Sequence, residues 1–342
     1  MKNIYNYTLE KLEDYFISIN EKKFKATQIF EWIYKKRITS FDEMSNVKKE
    51  TIEKLKEDFY FGNIKIISEK EGKDVVKFLF NLQDNNKVEA VLMKHDYGNS
   101  LCVSTQVGCN MGCSFCESGR LKKIRNLDVG EMVEQILKIE EILNIRISHV
   151  VLMGIGEPFD NYDNVIDFIR IINSGKGIDI GARHITVSTS GIVPKIEKFI
   201  EDGNQINLAV SLHAPNDEIR NKIMNINKVY NIHSLISVLK KYIEKTNRRV
   251  TFEYIMLEGV NDSKECAIEL ANLLKGMNCY VNLIPYNETS HIEYKKSSKE
   301  NIMKFYDTLK KNNINVTIRR EFGGNVDAAC GQLRANYEEG LL

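Results

Sequence analysis

Three closely spaced cysteines are the residues of this sequence best suited to chemistry. Cys109, Cys113 and Cys116 form CNMGCSFC, a C-x3-C-x2-C run. Thiolates are the standard protein ligands of iron–sulfur clusters, and three ligands on a four-iron cluster leave one iron with an open coordination site. The spacing therefore predicts a [4Fe–4S] cluster whose open site takes a substrate or a cofactor.

Two simpler interpretations of the three cysteines stay open. A structural zinc site usually needs four protein ligands, often as paired C-x2-C motifs, and the sequence contains no second pair. The other interpretation is that they are unreactive buried thiols. Because no fourth ligand lies nearby in sequence, the cluster is favoured over both.

The whole chain has the composition of a globular protein. Of its 342 residues, 43% are hydrophobic and 28% charged, which gives no reason to expect long disorder. The formal net charge of +1 does not indicate a nucleic-acid binder, because phosphate affinity depends on clustered Lys and Arg. The seven cysteines are an odd number, and the sequence has neither a signal peptide nor an apolar run of membrane-spanning length. We therefore expect a cytoplasmic protein without a membrane partner, whose thiols serve metal binding or catalysis.

Two small modules precede the cysteines. Leu9, Leu12 and Phe16 recur at helical spacing after Thr8, a candidate N-cap, and the pattern predicts helices up to about residue 60. The apolar segments VVKFLFNL and VEAVLM then flank the polar QDNNK, which predicts a β-hairpin.

Strands and helices alternate in the rest of the chain. Six apolar runs are each followed by a helical pattern: LCVSTQV, ISHVVLM, HITVST, INLAVSL, RVTFEYIML and YVNLIPY. Six such units predict a parallel sheet, either an open doubly wound sheet or an incomplete barrel, and VTIRR at 316–320 predicts a final strand. Both folds bind ligands at the carboxyl ends of their strands, and the cysteines follow the first of these strands directly.

Motifs along the chain resemble one enzyme family. The three cysteines, with Phe115 before the last of them, are similar to the radical S-adenosylmethionine (SAM) superfamily. Further motifs narrow this resemblance: RNL at 125–127, MGIGEP at 153–158, STSG at 188–191, SLHAPND at 211–217, NLIPYN at 282–287 and DAACGQL at 327–333. Together they resemble the RlmN family of adenosine-C2 methyltransferases, and the resemblance extends to QIFEWIYKKRITSFDEMSN near the N terminus.

The resemblance implies a fold and two cofactors. The expected fold is α/β, an incomplete (β/α)6 barrel of radical SAM type with an N-terminal helical accessory domain and a short β-hairpin. Its expected parts are the accessory domain at 1–62, the hairpin region at 63–96, the barrel core at 97–322 and a C-terminal segment at 323–342. The implied cofactors are a [4Fe–4S] cluster on Cys109, Cys113 and Cys116, and SAM.

Seven residues at or near predicted strand ends are implied to bind SAM: Gly156, Glu157, Ser188, Ser211, Leu212, His213 and Asn287. The glycines of MGIGEP allow the backbone to approach a ligand closely, and Glu157 is able to accept hydrogen bonds from the SAM ammonium group. Any one of the seven, taken alone, is equally well explained as a turn or cap residue.

Three further residues are implied to carry the reaction. By resemblance, Cys330 receives a methyl group from one SAM and then loses a hydrogen atom from that methyl to the radical made from a second SAM. Cys102 corresponds to the cysteine that releases the product and forms a disulfide with Cys330. Glu89 corresponds to the carboxylate that takes the proton from the adenine ring. Without the resemblance, Cys330 and Cys102 would be interpreted as core residues, as Cys266 and Cys279 are, and Glu89 as an exposed strand residue.

The implied substrate is 23S ribosomal RNA in its peptidyl-transferase region, with transfer RNA open as a second substrate. A flavodoxin or ferredoxin is the implied electron donor, and a monomer is expected. The adenine must leave its stack to reach a buried radical, which favours an accessible loop nucleotide. Two basic clusters are candidates for phosphate contacts, although short charge runs are more often solvated surface: Arg120, Lys122, Lys123 and Arg125, and then Lys295, Lys296 and Lys299.

Two alternative functions remain. Glu117 stands where small residues are more familiar, and Ile155 replaces the Met of MGMGEP. These departures leave open methylation of carbon 8 of the same adenosine, the Cfr activity that confers antibiotic resistance, although DAACGQL and the preceding RREFGGNV favour carbon 2. The alternative of a different class is a non-catalytic RNA-binding module with a structural metal.

Overall fold

The computed structural model describes residues 1–203, 205–289, 291–319 and 334. The helices are α1 (Leu9–Ser18), α2 (Phe24–Tyr34), α3 (Lys49–Asp58), α4 (Glu117–Arg120), α5 (Val129–Leu143), α6 (Tyr162–Asn173), α7 (Val193–Glu201), α8 (Asp217–Ile223), α9 (Ile232–Thr246), α10 (Lys264–Leu274) and α11 (Lys299–Lys311). The strands are β1 (Lys2–Asn3), β2 (Phe59–Tyr60), β3 (Lys65–Gly72), β4 (Val75–Asn81), β5 (Lys87–His95), β6 (Gly98–Cys102), β7 (Gln106–Val107), β8 (Arg125–Asn126), β9 (Ile147–Leu152), β10 (Ile185–Thr189), β11 (Asn207–Ser211), β12 (Val250–Met256), β13 (Cys279–Pro285) and β14 (Val316–Ile318). No helix in these ranges is long and apolar enough to span a membrane.

A ten-stranded sheet runs through most of the chain, in the order β14-β13-β12-β11-β10-β9-β6-β5-β4-β3. From β6 to β14 neighbouring strands are parallel, with helices in the connections, which confirms the predicted α/β class and the final strand. From β3 to β6 they are antiparallel, so β6 joins the two halves. The predicted hairpin is confirmed as β4 and β5. Strand β3 was not predicted, because this edge strand has no buried residue and therefore no apolar run.

The two faces of the sheet differ in polarity. Side chains alternate between the faces of a strand, and one face is apolar and shares a single buried core with the helices. The opposite face carries polar groups in register: Ser211 pairs with Glu253, and Glu253 pairs with Asn282. We call this polar side the interior face. Because the helices cover the other side, the interior face is where the sheet can meet a ligand.

The N-terminal helices pack directly on the parallel half of the molecule. Thr8 caps α1 as predicted, accepting a hydrogen bond from the Lys11 backbone N–H at 3.3 Å. The Gly130 backbone N–H, in the first turn of α5, donates to the Asn6 side chain at 2.6 Å. Apolar residues of α1 to α3 belong to the same core as those of α5 and α6. The accessory helices therefore stabilise the barrel through shared burial.

Glu134 is a buried acid in this contact. It lies on α5, is 2% exposed, and accepts a hydrogen bond from the Ile64 backbone N–H at 3.0 Å. Burial raises the pKa of its carboxyl group to about 7. The folded protein therefore holds this proton more tightly than the unfolded chain does. The stabilisation that this proton gives the folded protein is fully present below the ordinary pKa of a Glu carboxyl group. It is lost as the pH rises through about 7.

We predict that Glu134→Gln makes unfolding less dependent on pH. Between pH 5 and pH 7.5 the wild type should lose roughly 2–3 kcal/mol of stability relative to the variant, since one pKa unit corresponds to about 1.4 kcal/mol. Urea unfolding at both pH values measures this difference. Glu141→Gln, an exposed change on the same helix, is the control and should follow the wild type. Parallel pH curves for wild type and Glu134→Gln would contradict the prediction.

Candidate active site

The three cysteines lie on one loop that follows β7, just beyond the carboxyl end of β6. Tight turns shape this loop: the Cys116 backbone N–H donates to the Cys113 carbonyl at 3.1 Å, and the Gly119 N–H donates to the Cys116 carbonyl at 3.0 Å. Gly112 adopts a positive φ of 59°. Cys109 is buried, and Cys113 and Cys116 are half-buried. The sequence therefore presents all three thiols from one short, strongly turned segment.

Electrostatics favour a positively charged ligand at these thiols. Burial raises the pKa of Cys109 to about 12, and burial also raises the pKa of Cys113 well above its ordinary value. Negative charge on Cys116 contributes to both increases. The thiols are thus near enough to repel one another as thiolates, and a bound metal centre is the natural source of compensation. This donor set fits an iron–sulfur cluster.

A single metal ion fits less well. In the part of the chain that the structure describes, no three His, Cys, Asp or Glu side chains are arranged to hold one metal ion. A four-iron cluster distributes its irons over several corners and so takes thiolates that are further apart. A cavity of about 650 Å³ opens beside the loop and is lined by Cys113, Cys116, His291 and Tyr294 among others. The arrangement disfavours the structural zinc site.

A series of buried polar groups connects the strand ends beside this loop. The carboxylate of Glu157, which follows β9, accepts hydrogen bonds from the backbone N–H groups of Phe159 at 3.0 Å and Ser190 at 2.7 Å. The Glu157 N–H donates to the Gln106 side chain at 2.9 Å. Glu157 is 3% exposed, and burial raises its pKa. Glu157, a predicted SAM ligand, therefore also connects its own loop with the segments that contain Gln106 and Ser190.

Arg220 continues the series on the other side of Ser190. It is fully buried on α8, and its guanidinium donates to the carbonyls of Ser190 at 2.7 Å, Ser211 at 3.1 Å and Leu212 at 3.1 Å. A fourth hydrogen bond goes to the Asn227 side chain at 2.9 Å. Arg220 was not among the predicted site residues, because an Arg in the first turns of a short helix looks like a surface residue. We call Gln106, Glu157, Ser190, Arg220 and His213 the polar belt.

His213 closes the belt against β12. Its Nδ1 accepts a hydrogen bond from the Ile255 backbone N–H at 3.0 Å, and its carbonyl accepts one from the Asn261 side chain at 2.8 Å. Burial, with a smaller contribution from the charge on Arg220, lowers the pKa of His213 to about 3. The imidazole is therefore neutral, with its proton on Nε2. The ring meets Phe115 of the cysteine loop edge-on, with centroids 4.9 Å apart.

The remaining predicted SAM residues lie along the same edge. Ser188 and Ser211 are at the carboxyl ends of β10 and β11, Leu212 is buried, and Asn287 follows β13 and is half-buried. Gly156 has a φ of 111°, and a Cβ there would lie 2.6 Å from Cβ of Gln106. Gln106 belongs to the segment that leads into the cysteine loop, so Gly156 brings the loop after β9 close to that segment. The glycine therefore permits close backbone packing at this position, and its predicted approach to SAM stays a prediction.

Glu89 and Cys102 share the interior face. Cys102 pairs with Val91 across β5 and β6, and Glu89 is two residues from Val91, so the two side chains are diagonal neighbours. Glu89 is 3% exposed and Cys102 is 5% exposed. The interpretation of Glu89 as an exposed strand residue is wrong, because the interior face is covered at this point. Cys330 lies outside the described residues.

One described residue near the C terminus, Arg334, bonds to Glu89. The Arg334 backbone N–H donates a short hydrogen bond of 2.5 Å to Oε1 of Glu89, and Arg334 is buried. The Glu89 carbonyl accepts a second hydrogen bond, from the Ser104 hydroxyl at 2.6 Å. Glu89 is thus held both within the sheet and from the end of the chain.

The first basic cluster is largely engaged within the protein. Three of its four residues form ion pairs: Arg120 with Glu117, Lys123 with Asp160, and Arg125 with Asp84 and Glu131. The pairing of Arg125 with Glu131 is bidentate, with both distances 2.7 Å. In the second cluster, Lys295 lies 3.6 Å from Glu288. These pairs reduce the charge that either cluster offers to a phosphate.

Family models match two parts of the chain. Residues 103–271 match the radical SAM superfamily, and residues 2–60 match the ribosomal RNA large subunit methyltransferase N-terminal domain. The first match contains the cysteine loop and the polar belt, and the second contains α1 to α3.

Known proteins are similar over almost the full length. A probable dual-specificity RNA methyltransferase RlmN from Enterococcus faecalis is 56% identical, covering 98% of this chain and 96% of the relative. One from Spiroplasma citri is 54% identical, covering 99% of each. The crystal structure of a radical SAM methyltransferase from Sphaerobacter thermophilus superposes with a TM-score of 0.90 at 38% identity, covering 97% of this chain and 99% of that one.

We predict that Gly156→Ala destabilises the protein by about 2–4 kcal/mol, because it combines a strained positive φ with overlap against Gln106. Thermal unfolding of the two variants measures this. Gly181→Ala is the matched control: its φ is −59° and its added Cβ would meet nothing within 4 Å. Equal melting temperatures for the two variants would count against the tight contact between the β9 loop and Gln106.

Proposed function

The chain belongs to the RlmN family of radical SAM RNA methyltransferases, and we propose that it methylates carbon 2 of an adenosine in 23S ribosomal RNA. Membership of the superfamily implies a [4Fe–4S] cluster and SAM as cofactors. One observation carries the proposal for the site: Glu89 and Cys102 are neighbours on the interior face, and the chain four residues beyond Cys330 bonds to Glu89.

Cys109, Cys113 and Cys116 would hold the cluster, and the strand ends of the polar belt would hold SAM. When bound, the reduced cluster and SAM supply a 5′-deoxyadenosyl radical. The protein's own task is to orient SAM and to exclude water from the radical. The burial of Glu157, Leu212 and His213 supports this role, since these groups leave little room for solvent at the strand ends.

Cys330 would act first, because its thiolate is a suitable nucleophile for the methyl group of SAM. Carbon 2 of adenine is too weak a nucleophile to accept that methyl directly, so a carrier on the protein is needed. The S-methyl group on Cys330 would first lose one hydrogen atom to the radical, so that its carbon can bond to carbon 2 of the ring. The ring would then return one electron to the cluster while Glu89 takes the proton from carbon 2. The Cys102 thiolate would attack the thioether sulfur and form a disulfide with Cys330, and the released carbon would take up a proton to become the methyl group of the RNA.

The short stretch of chain between Cys330 and Arg334 supports a site in which Cys330, Glu89 and Cys102 lie close together. Arg334 bonds to Glu89 through its backbone N–H, and it lies four positions beyond Cys330. A fully extended chain of four residues spans at most about 14 Å. Diagonal neighbours across two strands, as Glu89 and Cys102 are, lie about 7–8 Å apart. A carrier thiol on residue 330 is therefore within chain reach of both.

The proposal extends to the partners. The substrate would be an accessible adenosine in the peptidyl-transferase region of 23S ribosomal RNA. The names of the relatives as dual-specificity enzymes support transfer RNA as a second substrate. A flavodoxin or ferredoxin would deliver the electrons, and the protein would work in the cytoplasm as a monomer.

Mass spectrometry of digested ribosomal RNA tests the reaction. We expect anaerobically reconstituted protein, given SAM and a reductant, to form 2-methyladenosine, and Cys330→Ala to form none. Formation of 8-methyladenosine would support the carbon 8 activity instead. Protein that contains zinc in place of iron and does not cleave SAM on reduction would support the non-catalytic module.

We predict that Cys102→Ala remains covalently attached to RNA, because the thioether can form but cannot be broken. Denaturing gels should show a slower band that collapses on treatment with ribonuclease. Cys266→Ala, a change in a buried cysteine of α10, should give no such band. A Cys102→Ala enzyme that turns over freely would remove Cys102 from the proposed mechanism.

A further inference from the structure

Arg220 carries a buried charge for which the proposed reaction gives no explanation. Its hydrogen-bond acceptors are three backbone carbonyls and the Asn227 amide oxygen, all of them uncharged. A fully buried cation is costly unless an opposite charge lies nearby. Burial lowers the pKa of Arg220 to about 10, and its guanidinium is close enough to Cys113 for the two groups to interact electrostatically. The cysteines would supply the compensating negative charge when they hold a cluster as thiolates.

The helix that carries Arg220 is bonded to the cysteine loop. The Ser114 backbone N–H donates to the carbonyl of Ile223, the last residue of α8, at 3.0 Å. The Asn225 side chain donates to the Gly112 carbonyl at 3.1 Å. Ile223 also belongs to an apolar cluster that includes Cys113 and Phe115. Since Arg220 bonds to the ends of β10 and β11, this short segment connects the strand ends with the loop.

We propose that Arg220 is a positioning residue that holds the strand ends against the cysteine loop and supplies the positive charge that favours reduction of the cluster. This inference rests on the proposed function, in which Cys113 is a cluster ligand. A charge in the interior interacts strongly with its neighbours, because little water screens it. An electron added to the cluster is therefore stabilised by the nearby guanidinium, and removing that charge makes reduction harder.

Three variants separate the charge from the hydrogen bonds. Arg220→Lys keeps the charge but cannot bond to three carbonyls at once. Arg220→Met removes both, and Arg220→Gln removes the charge but keeps an amide donor. Lys222→Met is the control: Lys222 lies on the same helix, its side chain is 63% exposed, and it pairs with Glu218 at the surface.

Two measurements on anaerobically reconstituted protein test the inference. The first is the midpoint potential of the cluster, from a redox titration followed by electron paramagnetic resonance. We expect a more negative potential in Arg220→Met and Arg220→Gln, and an unchanged potential in Arg220→Lys and Lys222→Met. The second is the dissociation constant for SAM. We expect it to rise on the order of tenfold in all three Arg220 variants, as expected for one lost hydrogen bond to a charged group.

The outcomes distinguish this inference from the function on which it rests. Wild-type protein that takes up no cluster would overturn both proposals together. If wild type and Arg220→Gln both take up the cluster and have the same midpoint potential, the proposed role of the charge is wrong, while the proposed function stands. If Arg220→Met does not fold, Arg220→Gln and Arg220→Lys still decide the point. A negative shift in Arg220→Lys as large as that in Arg220→Gln would show that hydrogen-bond geometry, not charge, sets the potential.

Discussion

Backbone N–H and C=O groups at the ends of neighbouring parallel strands have no partner on the next strand. The rest of this site depends on the side chains that bond to these groups instead. Buried N–H and C=O groups are costly when unpaired. Here two buried side chains act on one residue: Glu157 accepts from the Ser190 N–H, and Arg220 donates to the Ser190 carbonyl. The pair fixes the relative positions of three strand ends without making a direct ion pair.

This arrangement explains how a polar site coexists with a stable core. The helices bury the apolar face of the sheet, so the interior face is left to carry Glu89, Cys102 and the strand-end serines. The cysteine loop sits at the same edge and is connected to the belt through α8 and through the contact of Phe115 with His213. The three cysteines, the proposed SAM contacts and the proposed base are thereby held by one connected set of hydrogen bonds and packing contacts.

Much of this was predictable where the signal is local. The C-x3-C-x2-C spacing, the six strand–helix units, the hairpin and the Thr8 cap are all set by neighbouring residues, and the structure contains each of them. The missed features depend on distant parts of the chain. Arg220 looks like a surface residue until α8 packs onto the strand ends. The basic run is a candidate for phosphate contacts in the sequence. In the structure Arg125 pairs with Asp84 and Lys123 pairs with Asp160, acids that are 41 and 37 residues away along the chain.

The central claim is that the cysteine loop and the polar belt form one site for the cluster and SAM. The most direct measurement is the electron paramagnetic resonance spectrum of the reduced, reconstituted protein with and without SAM. Our account predicts that SAM changes the spectrum, because the open iron and the strand ends bind the same molecule. An unchanged spectrum in protein shown by equilibrium dialysis to have bound SAM would contradict it.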